Sequence, residues 1–213
     1  MVQMFARITG FGLSVAPVWP CRVERVADDP AALAVTTGAG DASRAVVVRG
    51  GREVPVADLG EGVASIGEVI EVRRGPDTPE WRIETLEYSI SWPAGFALES
   101  SADDNESTFD LHGPGGVLIW LRGPFERAHL PAVDALAAPG QTLTGVYSEG
   151  GMEAAELAYE HGGATWNQRH YLVQLADSQV VVVTAQAPVE HGELYRRASA
   201  EVAISVQPTP LTA

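Results

Sequence analysis

Residues 154–184 read AAELAYEHGGATWNQRHYLVQLADSQVVVVT, and the fold class turns on them. Gly162-Gly163 separates two runs, Ala154–His161 and Thr165–Leu175, which predict the arms of a long hairpin. Val180 to Thr184 then forms an unbroken β-branched run. Such a run marks a strand buried on both faces, because branched side chains pack well on a pleated surface. Three consecutive strands joined this way predict an antiparallel sheet.

Working outward, Tyr88–Trp92 alternates and stops at Pro93-Ala94-Gly95, which reads as a short strand and a turn. Ser107–Leu111 and Val117–Leu121 flank Gly113-Pro114-Gly115-Gly116 and predict a further hairpin. Val117, Ile119 and Leu121 fall on one side of its second arm, Leu118 and Trp120 on the other, so cover is expected on both faces. Leu130, Val133 and Ala137 share a helical face, with Pro131 suited to a first turn and Pro139-Gly140 to a stop. After Pro188, the spacing of Leu194, Ala198 and Val202 predicts a closing amphipathic helix. Strands, helix, strands, helix over 86–206 predict an α+β class, an antiparallel sheet flanked by helices.

The N-terminal part echoes this pattern. Phe11–Val15 precedes Trp19-Pro20 as Tyr88–Trp92 precedes Pro93. Val46–Gly50 resembles Ile119–Gly123, Val54–Asp58 resembles Leu130–Asp134, and Gly67–Val69 resembles Gly145–Tyr147, at offsets of 77, 73, 76 and 78. Matches in one order at nearly one offset suggest a degenerate, truncated copy; chance among Val, Gly and Pro is the competing explanation. The expected organisation is a β-rich partial repeat at 1–78 packed on a main domain at 79–213.

The 213 residues are 46% hydrophobic and 20% charged, enough for a buried core. There are 28 acids and 14 basic residues, a net charge of −14, and every basic residue is Arg, which reads first as coding bias. Residues 83–213 carry 17 acids and 5 Arg, a net of −12. Such a field repels nucleic acid and anionic lipid and attracts a basic protein surface. Cys21 is the single cysteine, so no internal disulfide forms and a reducing, cytoplasmic location is expected. Val18-Trp19-Pro20 before Cys21 does not fit a lipoprotein cleavage site, and the interrupted apolar start is not expected to be a signal peptide. No apolar run approaches the ~20 residues that span a bilayer.

Reactive motifs are sparse. His112, His129, His161, His170 and His191 form no zinc-binding spacing, although His161 and His170 flank the Gly162-Gly163 turn and could face each other. There is no nucleophile elbow, and without Lys there is no P-loop. No cofactor and no metal are expected, and no catalytic residue is nominated. The candidate partner-binding residues are Asp103, Asp104, Glu106, Glu149, Glu153 and Trp166, with Trp81 a further interface candidate because its neighbours are polar. Trp92 and Trp120 lie in apolar strands and are expected in the core.

The stretch from Tyr88 to Val206 resembles the PsbP-like fold in its bacterial DcrB-like branch. The likeness rests on Trp92-Pro93-Ala94-Gly95-Phe96, the Val117–Arg122 strand, the Leu130–Leu136 segment, Arg169-His170-Tyr171-Leu172, the Val180–Thr184 strand before Ala187-Pro188, and the closing Ala203-Ile204-Ser205-Val206. Members include adaptors, photosystem-associated subunits, lipoproteins and Eag-type chaperones of type VI secretion effectors. The resemblance implies a binding role and no inherited catalytic residue. The N-terminal extension departs from the single-domain members. The expected function is therefore a non-catalytic protein-binding adaptor, as an effector chaperone or an immunity protein against a basic toxin. A small-molecule or lipid-binding module and an unrecognised enzyme are the alternatives.

Overall fold

The computed structural model of the chain describes residues 6–38, 44–55, 70–100, 107–149 and 152–209. In chain order the strands are β1 (Arg7–Gly10), β2 (Leu13–Pro17), β3 (Cys21–Val26), β4 (Asp29–Thr37), β5 (Arg44–Arg49), β6 (Arg52–Pro55) and β7 (Ile70–Arg74). They continue as β8 (Arg82–Glu84), β9 (Tyr88–Ser91), β10 (Ala97–Ser100), β11 (Phe109–His112), β12 (Leu118–Glu126), β13 (Thr142–Glu149), β14 (Met152–His161), β15 (Ala164–Ala176) and β16 (Gln179–Pro188). One α-helix, α1 (Gly192–Ser205), and a short β17 (Gln207–Pro208) follow.

The strands form two antiparallel sheets. The smaller has the order β17-β9-β8-β1-β2-β7, and the larger β13-β14-β15-β16-β12-β11-β10-β3-β4-β5-β6. The α+β expectation is thereby corrected: among the described residues strands predominate and there is a single α-helix, which makes this a mostly antiparallel β protein. The expected helix around Leu130–Leu136 is replaced by two 3₁₀ turns, Arg127–His129 and Val133–Ala135. Pro131 removes a backbone N–H and biases Leu130 away from helical geometry, and Pro139 closes a segment too short to repay helix nucleation.

The hairpin and the buried strand are as the sequence suggests. Gly162 and Gly163 hold φ of 61° and 79°, the positive pair that a two-residue hairpin turn requires. His161 pairs with Ala164 directly across it. In β16, Val181, Val183, Ala185 and Ala187 face one side and Val180, Val182 and Thr184 the other, and all are buried. In β12 only the Ile119 and Leu121 side is fully buried; Leu118 and Trp120 are half-buried.

One hydrophobic core joins the two sheets and α1. Tyr195, Ala198 and Val202 give α1 its buried face, with Leu194 at its margin. Arg82 donates to the Ser205 carbonyl at 3.0 Å and the Ser91 N–H to Ser205 Oγ at 2.8 Å, which ties the helix end to the smaller sheet. On the opposite face of the large sheet, Val133 packs on Ala155, Leu172, Val180 and Val182, with Leu130 and Leu136 beside it.

The order of strands is mirrored about the β1–β8 and β3–β10 pairings. β9 and β2 flank the first pair, with β17 and β7 outside them. β11 and β4, then β12 and β5, flank the second. Ile8 stands opposite Ile83, and Val23 opposite Leu98, each pair 75 residues apart.

Candidate functional site

β13 occupies the end of the large sheet and, among the described residues, pairs only with β14. Its sequence is Thr-Leu-Thr-Gly-Val-Tyr-Ser-Glu. The register shifts between Leu143 and Gly145, a bulge that sets Leu143 opposite Leu157 and Val146 opposite Ala155. Residues three apart normally point to opposite faces of a strand; here the bulge brings Leu143 and Val146 to one face. They are 41% and 54% exposed and continue the apolar surface built by Val133, Ala155 and Leu172. Tyr147, 43% exposed, turns to the other face, its ring 5.1 Å from the Arg169 guanidinium carbon.

Beneath Tyr147 lies a buried polar network that fixes the edge to the helix. Glu156 on β14 stands opposite Arg169 on β15 and accepts from its guanidinium at 2.7 Å. Its other oxygen accepts from the Tyr195 hydroxyl of α1 at 2.7 Å and from Arg196 at 3.4 Å. Arg169 also donates to the Tyr171 hydroxyl at 3.2 Å. Burial raises the Glu156 carboxyl, but the bonds from Arg169 and Tyr195 and the two guanidinium charges outweigh it and hold it below the usual range. The Tyr195 hydroxyl is pushed up by burial and by the Glu156 charge. With its partners in place, Glu156 is an anchor between sheet and helix and offers no free base.

A second buried chain runs across the outer face. Gln141 donates to Gln168 Oε1 at 2.7 Å, Gln168 Nε2 meets His170 Nε2 at 3.1 Å, and His170 Nδ1 meets Thr184 Oγ1 at 2.9 Å. With the Gln168 amide as donor, His170 Nε2 accepts and Nδ1 carries the proton toward Thr184. Burial, aided by the Arg122 charge, drops the imidazole to about 4 and keeps it neutral. Cys21 is buried and its thiol is pushed up to about 12 by burial, so it offers no thiolate at neutral pH. Among the described residues no group of three or more His, Cys, Asp or Glu side chains could hold a metal ion, and no helix is long and apolar enough to cross a membrane.

The sequence-nominated residues separate in space. Asp103, Asp104 and Glu106 lie outside the described residues. Glu149 ends β13 opposite Met152, and Glu153 stands opposite Ser148 with its carboxylate 3.4 Å from Arg127, so these two adjoin the exposed edge. Trp166 lies toward the far end of the same hairpin, opposite Tyr159 and Pro188. Its ring stacks on Tyr159 at 6.4 Å and meets the edge of His161 at 6.0 Å. His161 and His170 do not face each other, since His161 pairs with Ala164 and His170 with Ala155. Trp81 is buried, with its indole N–H donating to the Pro30 carbonyl at 2.8 Å; Trp92 is also buried. Leu143, Val146 and Tyr147 carry the exposed edge and were not singled out from sequence. Their alternation was the available signal, and Gly145 interrupts it.

The fold and this edge define an antiparallel β protein whose apolar terminal strand has, among the described residues, no strand on its outer side. No protein-family model matches the chain, the PsbP-like family included, and no curated protein matches it. Among solved structures, the chain is similar to the crystal structure of LpqN involved in cell envelope biogenesis of Mycobacterium tuberculosis. The likeness has a TM-score of 0.41 at 17% identity and covers 58% of this chain and 83% of that one.

Proposed function

We propose that this protein is a non-catalytic adaptor that binds another protein through the free edge of β13. The observation that carries this reading is the contrast among the four sheet edges. β6 is four residues long, bears Arg52 and Glu53, and ends in Pro55, which has no N–H. β7 carries exposed Glu71, Arg73 and Arg74. β17 has two residues, one of them Pro208. Short length, charge, Pro and bulges are the devices that stop an edge from recruiting another strand, and of these β13 has, before Glu149, only the bulge between Leu143 and Gly145. β13 has eight residues, no Pro, no charge before Glu149, and three exposed apolar side chains. Its bulge bends the strand and brings Leu143 and Val146 to one face, while Tyr147 turns to the other.

The reading agrees with the order of motifs that resembles the PsbP-like fold, whose members are mostly non-catalytic. An effector chaperone and an immunity protein against a basic toxin are its two sharper forms. Residues 1–78 are read as a degenerate copy that docks on 79–213, which the mirrored strand order and the 75-residue spacing of the central pairs support. The test is affinity capture in the native host with the wild-type chain and with Val146→Lys as baits. The adaptor reading expects a stoichiometric protein partner with the first and its loss with the second. Absence of any enriched protein at low salt, or equal enrichment by both baits, contradicts it.

A further inference from the structure

Resting on the adaptor reading, we infer that the occupant of β13 is an extended segment of net positive charge, with apolar side chains at alternate positions, that adds to the sheet as a further strand. Backbone hydrogen bonding along an edge is sequence-tolerant, so the partner's class is set by the side chains around that edge. Residues 126–161, which hold β13, β14 and the segment behind them, carry six acids and one Arg. That Arg127 is already engaged by Glu153 at 3.4 Å and by the carbonyls of Leu130 and Pro131. Arg169, the nearest cation on β15, is held by Glu156 at 2.7 Å. With Glu153 matched by Arg127 and the buried Glu156 by Arg169, the acids Glu126, Asp134, Glu149 and Glu160 leave this segment a net negative charge of four, and it lies in the half of the chain that carries the −12 excess. A second copy of this chain would bring the same acids against themselves, which costs affinity across an interface. A basic segment meets the same field favourably and is steered to it.

The apolar requirement follows from the bulge. Because Leu143 and Val146 share one face, an added strand meets apolar surface on that face, beside Val133 and Leu136. Alternate residues of the added strand fall there, which gives the period of two. Eight residues of β13 span about 27 Å at ~3.4 Å each, room for a strand of roughly six to eight residues.

The probe is a fluorescein-labelled octapeptide alternating Arg and Val, titrated by anisotropy into the full chain. Its controls are the same peptide with Glu in place of Arg, and the same peptide with alternate backbone amides methylated. The inference expects binding of the Arg peptide alone. Binding should weaken about tenfold or more on backbone methylation, which removes inter-strand donors. A comparable loss is expected in Val146→Lys and at about 0.5 M salt. Equal binding of the Glu peptide overturns the charge class, and unchanged binding to Val146→Lys overturns the location. Sedimentation showing that the chain dimerises through β13 makes a second copy the occupant and overturns the inference. If no peptide binds while a captured host protein is lost with Val146→Lys, the basic extended class fails and the adaptor reading stands; if no protein is captured either, both fail.

Discussion

Arg169 donates to Glu156 at 2.7 Å with both side chains about nine-tenths buried, and the pair joins two strands of the large sheet beneath the only α-helix among the described residues. Glu156 accepts in addition from Tyr195 of α1, so one carboxylate ties β14, β15 and the helix together. A buried pair of this kind adds little net stability over an apolar substitute, yet removing one partner leaves the other charge desolvated and unpaired.

Glu156→Ala is accordingly expected to destabilise the chain by about 3–5 kcal/mol. Urea unfolding followed by tryptophan fluorescence checks it. The double variant Glu156→Met, Arg169→Met should recover part of that loss, because neither charge is then stranded while the buried Tyr195 hydroxyl still lacks its acceptor.

His170 makes stability depend on pH. Its folded value of about 4 lies below the ordinary 6.5, so below pH 6.5 the unfolded chain binds a proton that the folded chain does not. The stabilisation is present in full above 6.5 and is lost as pH falls toward 4, on the order of 3 kcal/mol in all. Glu156 adds a loss of the same sign at lower pH, since its carboxyl is held below the usual range. Unfolding free energies at pH 7, 6 and 5 should fall in the wild type and fall less steeply in His170→Gln.

Trp81 belongs to the core and not to an interface. Trp81→Ala is expected to cost about 3–5 kcal/mol, from the cavity left beside Phe11 and the orphaned Pro30 carbonyl. Partner capture by the residual folded protein should be unchanged, which distinguishes a packing role from a docking one.

Gly10 lets β1 approach the segment before β8. A Cβ there would lie 2.2 Å from the Glu80 carbonyl oxygen, at a φ of 148° that other residues rarely adopt. Gly10→Ala is expected to cost at least about 2 kcal/mol, measured by urea unfolding, through overlap and backbone strain together. Gly12→Ala, with nothing near its Cβ but a φ of 77°, carries the strain without the overlap and should cost less.

Local signals in the sequence found what local signals can specify. Gly162-Gly163 and the Val180–Val183 run mark a turn and a doubly covered strand by their own chemistry. The Ala198–Val202 spacing marks the helix because its neighbours also repeat at that period. The apolar spacing of Leu130, Val133 and Ala137 misled, since two 3₁₀ turns between prolines can place the same side chains on a sheet. Trp81 misled for a related reason: in an extended chain its neighbours Glu80 and Arg82 point away from it, so their polarity says nothing of its own side. The pairing of Ile8 with Ile83 and of Val23 with Leu98 depends on residues far apart and has no local signature beyond the loose echo in the sequence. Glu149 and Glu153 stood out in the sequence by charge, and the strand register sets them at the end of β13 and opposite its Ser148. The strand itself was not legible, because the bulge between Leu143 and Gly145 breaks the alternation by which a strand is recognised.

Val146 is more than half exposed, so Val146→Lys should leave global stability within about 0.5 kcal/mol while abolishing partner capture. Equal unfolding midpoints for the two proteins, with capture lost only in the variant, would separate docking from folding.

The most direct measurement is amide hydrogen exchange of the full chain, alone and in complex with its captured partner. Docking on the free edge predicts that amides of residues 142–149 slow markedly in the complex while those of β6 and β7 are unchanged. Unaltered exchange along 142–149, with protection appearing instead around Tyr159 and Trp166 or on another face, would contradict it.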